Sequence, residues 1–266
     1  MKSETPTALT IAGSDSGGGA GIQADLKTFT AHKVYGMSVL TSITAQNTKK
    51  VLGIHNLSPE FIGLQLVAVA TDFEVNAAKT GMLSTVPIIK SIADQIRRYK
   101  IPNLVVDPVM ISKSGARLLQ KEAETSLKND IIPLAFVVTP NIPEAEVITD
   151  MKIGSIEDMK ESAEKIKRMG PRNVLIKGGH LKQNKDAVDI LYSGDDFYEI
   201  ATKWIKTKNT HGTGCTYSAA ICANLAKGID VLEAVSMAKD YVTAAIEKSF
   251  NIGSGHGPLN HFHNIN

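Results

Sequence analysis

The chain has little cysteine, no long apolar run and almost no charge imbalance, and each shortage removes a class of protein. Only Cys215 and Cys222 occur among 266 residues. Seven positions apart on one predicted helix, they would stand roughly 10 Å from each other, too far to bridge. A disulfide-stapled scaffold is thereby excluded, and a reducing, cytoplasmic setting is expected. The longest apolar runs, such as IIPLAFVV, have the length of strands, well short of the roughly 20 residues that a membrane-spanning helix needs. The N-terminal MKSETPTALTIAGSD carries one lysine and no apolar stretch of signal-peptide length. Lysine and arginine number 29 against 27 acids, a net charge of +2, with no basic run. A nucleic-acid binder working by bulk electrostatics is not expected from that balance.

Two local absences are as informative. No Gly-Lys pair occurs, which removes a Walker A phosphate loop. The fragment Gly19-Ala20-Gly21-Ile22-Gln23-Ala24 fits a loose dinucleotide fingerprint, but that motif needs an acid about twenty residues on. Between Asp25 and Glu60 there is none, and a tight glycine-rich turn is the better account.

What the sequence does contain is an ordinary globular composition, 43% hydrophobic and 21% charged. At this length folding buries on the order of 70% of the extended chain's surface. Short apolar runs alternate with helix-period segments. Strands are expected at 8–13, 37–44, 52–57, 75–80, 103–107, 135–139 and 173–178, and helices at 21–34, 59–73, 84–99, 120–129, 143–149, 155–169, 213–227 and 230–248. Ser58, Pro59 and Glu60 form a helix-start signal, Gly228 a stop signal. AVDILYS and DFYEIAT read as a hairpin around Gly194-Asp195. Strands separated by helices predict a three-layer α/β/α domain spanning 1–266, with a mostly parallel sheet. Ligands then sit beyond the carboxyl ends of the strands.

The residues just after the strands carry the chemistry. GSDSGGGAG (13–21) allows close approach of backbone to a ligand. In KNTHGTGCTYSAA (208–220), Gly212, Thr213 and Gly214 place free N–H groups at a helix start, an anion site. Cys215 lies within it, where a thiolate would be favoured, while Cys222 reads as core. Asp107 ends one strand. Asn141 and Glu144 follow another, as hard oxygen ligands for Mg²⁺ beside phosphates or as a helix cap. Lys177, in LIKGGH, suits phosphate contact. His261 and His263 lack metal-ligand spacing and are expected in a surface or tail role.

Taken together, GSDSGGGAGIQADLKTF, TAQNT, KTGML, DPVM, SKSG, TPNIPEAE, KGGH, KNTHGTGCT and GHGPLNHFH resemble, in order and spacing over about residues 8–263, the hydroxymethylpyrimidine/phosphomethylpyrimidine kinases of thiamine biosynthesis, members of the ribokinase superfamily. The resemblance implies a ribokinase-like fold and ATP-dependent phosphorylation of 4-amino-5-hydroxymethyl-2-methylpyrimidine and then of its monophosphate. It further implies that Gly13, Asp25, Gln46, Met82, Val109 and Cys215 line the pyrimidine pocket, with Gln46 reading the ring edge. It places Cys215 beside the attacking hydroxyl, where sugar-kinase relatives carry an Asp base, and Gly212, Thr213 and Gly214 in the anion hole. Asn141, Lys177 and Thr210 are implied at the ATP phosphates, Asp107 and Glu144 at Mg²⁺, and a homodimer is the common assembly. Three rivals stay open: a pyridoxal kinase, a cysteine-nucleophile enzyme pairing Cys215 with His211, and a binding module without turnover.

Overall fold

A computed structural model describes residues 5–179 and 186–264. His180, the last residue of the KGGH motif, lies outside that set. Nine strands form one sheet in the order β3-β2-β1-β4-β5-β6-β7-β8-β9. The parallel centre comprises β2 (Tyr35–Gln46), β1 (Thr7–Asp15), β4 (Ala77–Thr80), β5 (Leu104–Val106), β6 (Val137–Val138) and β7 (Asn173–Ile176). Antiparallel strands close both sides: β3 (Val51–Asn56) on one, and the hairpin β8 (Asp186–Ser193) with β9 (Asp196–Lys203) on the other. The expected hairpin around Gly194 is present, and Gly194 takes a positive φ in its turn.

Side chains leave a strand alternately to the two faces, and the two apolar cores divide accordingly. Leu9, Ile11, Ala78, Leu104, Val106, Val174 and Ile176 pack under α2 (Pro59–Asp72), α3 (Val86–Tyr99), α5 (Ile142–Thr149) and α6 (Ile156–Lys167). Ala8, Ala77, Val105, Val137 and Leu175 pack under α1 (Gly21–Ala31), α7 (Thr213–Ala226) and α8 (Val231–Glu247). The three-layer α/β/α architecture is thus the one the sequence predicts. Ser58 caps α2 through the Phe61 N–H, with Pro59 in the first turn. One element departs from expectation: the helix predicted at 120–129 is α-helical only at α4 (Ala123–Ser126), then widens into a π turn over Leu127–Ile131. Ser126 Oγ donates to Asp130 there at 2.6 Å, and Pro133 just beyond has no N–H to continue an α ladder.

The strand order reverses at β1, which takes β2 on one side and β4 on the other. That reversal opens a crevice at the carboxyl ends of β1 and β4, and the glycine-rich loop after β1 folds back into it. Gly21 adopts φ +56°, and a Cβ there would lie 2.3 Å from the Gly13 carbonyl. Only glycine allows α1 to start this close to the strand it follows. Among the described residues, no helix is long and apolar enough to cross a membrane.

Candidate active site

A cleft of about 980 Å³ runs along the strand ends, large enough for two small ligands. Every residue singled out above for the site lines it except Asp25. At the centre is the start of α7. Gly212 precedes the helix with φ +85° and no side-chain cap, because a Cβ would fall 1.8 Å from the Gly19 carbonyl. The Thr213 N–H turns back to the Thr210 carbonyl at 3.4 Å, and the N–H groups of Gly214 and Cys215 lie at the positive end of the helix dipole with no side-chain cap.

The glycine-rich loop 13–21 is organised differently. Asp15 fills it: Oδ1 accepts the Gly17 N–H at 2.8 Å, and Oδ2 accepts those of Gly19 and Ala20 at 3.0 and 2.9 Å. With the amides of Gly17, Gly19 and Ala20 occupied by the chain's own carboxylate, this stretch is a structural turn.

On one side of the α7 cradle, Asp107 ends β5, Asn141 and Glu144 follow β6, and Lys177 follows β7. Lys177 Nζ lies 3.0 Å from Asp107 Oδ1. A Cβ on Gly214 would stand 3.5 Å from that Nζ and 3.7 Å from Asp107 Oδ2, so the cradle and the ion pair abut. Ser218 Oγ donates to Asp107 Oδ2 at 3.3 Å. Asn141 and Glu144 do form a capping box, Glu144 N–H to Asn141 Oδ1 and Asn141 N–H to Glu144 Oε2, each at 2.9 Å. Capping and ligation are compatible here, since the box leaves both side chains on the cleft wall. Burial raises the Glu144 carboxyl to about 7; the Lys177 ammonium opposes the shift and the Asp107 carboxylate adds to it.

On the other side lie Gly13, Met82, Val109 and Gln46, with Met82 Sδ 3.1 Å from a Cβ built on Gly13. Cys215 stands between the halves. A helix start by itself favours a thiolate, and the sequence leaves the net state open; burial pushes the thiol up to about 11, Lys79 lowers it less, and the carboxylates of Asp25 and Asp107 raise it further. Asp25, expected on the pocket wall, is corrected. It is fully buried one layer behind the cleft, where its carboxylate accepts from Lys79 Nζ at 2.8 and 2.9 Å and from Thr10 Oγ1 at 2.6 Å. Thr10 and Lys79 are register partners on β1 and β4 and reach the same α1 side chain.

Lys79 itself was not singled out from sequence, although KTGML contains it. It is fully buried and lines the cleft beneath Gly81. Burial would lower the ammonium's pKa, but Asp25, with smaller contributions from Cys215 and Asp107, holds it above the ordinary value. A lysine in an otherwise small and apolar strand, Ala77-Ala78-Lys79-Thr80, was the available signal, because lysine is almost never fully buried unless paired. His211 also has a role the sequence did not assign: its Nε2 lies 2.8 Å from Asp15 Oδ2, so it is tied to the glycine-rich loop. His261, expected at the surface, is buried and hydrogen-bonded to Thr216 Oγ1 at 2.9 Å. Cys222 is core, as expected.

Two outcomes follow from these charges. Lys79→Met strands Asp25 without its cation and is expected to cost about 3–5 kcal/mol, whereas Lys79→Met combined with Asp25→Leu regains much of that. Chemical denaturation of the three proteins checks it; equal losses in the single and double variants would contradict the pairing. For Glu144, the folded pKa of about 7 lies above the ordinary value of 4.5. Its contribution to stability is therefore complete below the unfolded value and lost as pH rises through about 7. Without divalent metal, wild type should lose stability relative to Glu144→Gln across that window, and a pH-independent difference would show a carboxylate ionised throughout.

The chain is similar over most of its length to several known proteins. The phosphomethylpyrimidine kinase family model matches residues 15–260. The hydroxymethylpyrimidine/phosphomethylpyrimidine kinase of Bacillus subtilis (strain 168) is 49% identical over 255 residues, 96% of this chain and 94% of that protein. The structure of phosphomethylpyrimidine kinase from Clostridium difficile 630 superimposes with a TM-score of 0.82 at 50% identity, over 91% of this chain and 100% of the other. The pyridoxal kinase of Staphylococcus aureus in complex with AMP-PCP and pyridoxal superimposes with a TM-score of 0.91 at 36% identity, over 99% and 96% of the two chains. With its mostly parallel nine-stranded sheet in three layers, this ribokinase-like chain belongs to the phosphomethylpyrimidine kinase family.

Proposed function

We propose that this protein, as a single domain over residues 1–266, transfers the γ-phosphoryl group of ATP to the hydroxymethyl of 4-amino-5-hydroxymethyl-2-methylpyrimidine and then phosphorylates the monophosphate to the diphosphate. The observation that carries the reading is the uncapped start of α7, with Asp107, Glu144 and Lys177 on one side and Cys215, Gln46, Met82 and Val109 on the other, in one cleft. Phosphoryl transfer has a loose transition state, so catalysis is mostly positioning and charge stabilisation. The N–H groups of Gly214 and Cys215 hold the phosphoryl oxygens, and Gly212 leaves room for them. Asn141, Thr210 and Lys177 bind the other phosphates. The Cys215 thiol orients the acceptor hydroxyl; with a pKa of about 11 in the free protein, it is a poor base and adds no charge against incoming phosphates.

Mg²⁺ fits the residues present. Magnesium is commonly held by one or two carboxylates together with phosphate oxygens, and Asp107 and Glu144 are such a pair, buried near each other with Glu144 raised as expected of a carboxyl awaiting a cation. When bound, the ion neutralises charge on the phosphates.

A pyridoxal kinase is the second reading, favoured by the likeness to the S. aureus enzyme bound to pyridoxal. The cysteine-nucleophile reading has no support in the site: the thiol is protonated at neutral pH and His211 Nε2 is held by Asp15. ADP release from MgATP, assayed with the pyrimidine alcohol, its monophosphate and pyridoxal, tests these readings together. The first two should turn over; turnover of pyridoxal alone would reverse the order, and no turnover would leave a binding module. Cys215→Ala should lower pyrimidine turnover by on the order of 10², and unchanged turnover would remove Cys215 from the reaction.

A homodimer has a face available. Leu52 on β3 and Phe61 and Leu64 on α2 are 65%, 55% and 62% exposed, and among the described residues β3 is paired on one side only. Such edges invite a partner strand or must be covered. Sedimentation should show a dimer that Leu52→Glu with Leu64→Glu converts to monomer; a monomeric wild type would end this part of the proposal.

A further inference from the structure

Gln46 ends β2 with its backbone pinned: its N–H donates to Ser16 Oγ, which donates to the Gln46 carbonyl, both at 2.8 Å. Its carboxamide nitrogen is placed 3.3 Å from His211 Nε2, and the same imidazole nitrogen lies 2.8 Å from Asp15 Oδ2. Asp15 already accepts three backbone N–H groups. Burial raises its pKa, but the hydrogen bond and charge of His211, with the N–H groups of Gly17 and Ala20, outweigh burial and hold it below the ordinary value. An ionised carboxylate can only accept, so the proton between Asp15 and His211 is carried by the imidazole, and Nε2 is an N–H donor.

That proton decides which way the neighbouring amide points. A carboxamide's oxygen and nitrogen exchange places by a half-turn, and hydrogen-bond partners, not heavy-atom positions, decide between them. An NH₂ against Nε2–H would set two donors face to face; an oxygen there accepts a share of the same N–H. The imidazole cannot easily turn away, because it is 8% exposed and packs against Gly19, where a Cβ would lie 2.5 Å from His211 Cδ2.

We propose that the Asp15–His211 pair positions the Gln46 carboxamide with its oxygen against His211 and its NH₂ facing the cleft, so that this wall selects ring substrates presenting an unprotonated acceptor nitrogen. His211 is a positioning residue here, acting on the substrate through Gln46. The inference deepens the kinase reading and rests on it for the identity of the ring. A pyrimidine nitrogen meets the requirement, whereas a protonated ring N–H or a C–H at the same place leaves the Gln46 donor unmatched.

The test is a double-variant cycle on the dissociation constant of the pyrimidine alcohol, measured by calorimetry without nucleotide. Gln46→Ala should weaken binding about tenfold, as expected for the loss of one hydrogen bond. His211→Leu should do nearly the same, and the double variant should be no weaker than Gln46→Ala alone. His211→Gln, which keeps a donor, should recover much of the loss, with thermal melts confirming that each variant is folded. Losses that multiply in the double variant would show that His211 acts independently and overturn the proposal. Gln46→Glu retains an oxygen toward His211 and places a second toward the cleft; wild-type binding by that variant would also overturn it. The ¹⁵N shifts of His211 report its tautomer without any substrate, and a bare Nε2 would refute the proton assignment outright. Failure of the kinase reading shows separately, as a wild-type protein that neither binds the pyrimidine alcohol nor releases ADP with it.

Discussion

The site depends on a collision that only glycine avoids. The Gly19 carbonyl occupies the space where any other residue at position 212 would carry its Cβ. The residue entering α7 consequently brings no side chain, and the helix begins without a cap. Side chains of Ser58, Asn141, Ser155 and Asp230 cap α2, α5, α6 and α8, whereas α1 and α3, like α7, start without one; at α7 the Gly19 carbonyl is the reason. Helix N–H groups that are left unpaired favour an anion, and their dipole adds to the attraction. The two glycine loops thus have unequal roles. The first is filled by Asp15 and made rigid, and its rigidity holds the second one open.

Charge around that opening is arranged so that an empty site is nearly neutral. Lys79 is matched by Asp25 and Lys177 by Asp107. Glu144 is poised near neutrality and Cys215 is protonated. A thiolate beside Asp107 would add a negative charge where phosphates must enter, and burial prevents it at neutral pH. Burial thereby keeps the thiol compatible with a polyanion, and the Lys79–Asp25 pair beneath it fixes the local field without presenting a net charge to the cleft. Glu144 has a parallel logic: burial and then Asp107 raise its carboxyl to about 7, so it is only partly ionised at neutral pH and an arriving cation would complete the ionisation.

Much of this was legible in the sequence, because strand-end positions and glycine-rich turns are local features. Asp107, Asn141, Glu144 and Lys177 were found by their place after apolar runs, and the sheet gathers all four on one wall. Features that depend on a partner from another layer were not legible. Nothing in LKTF or KTGML tells that Asp25 of α1 and Lys79 of β4 meet under the cleft, so Asp25 was expected on the surface of the pocket and Lys79 was passed over. The protonation state of Cys215 was not legible for a related reason: a helix start is visible in sequence, whereas the depth to which it is buried is a property of the packed fold. The π turn after Ser126 arises from one side-chain bond and one proline, too little to register against a helix-like pattern.

The division of the cleft also bears on how related kinases can act on different vitamin-like alcohols. The phosphoryl half is built from main-chain N–H groups, the Lys177–Asp107 ion pair and the Asn141–Glu144 capping box, and in the proposed reaction these meet phosphate and not the ring. Changing them would impair transfer to every acceptor alike. The ring half is built from Gly13, Met82, Val109 and Gln46, three apolar contacts and one amide. Apolar contacts discriminate weakly between flat rings of similar size, whereas an unmatched buried hydrogen-bonding group discriminates strongly. Under the proposal above, choice of ring is concentrated in the one carboxamide and in what orients it, a histidine held to the glycine loop by Asp15.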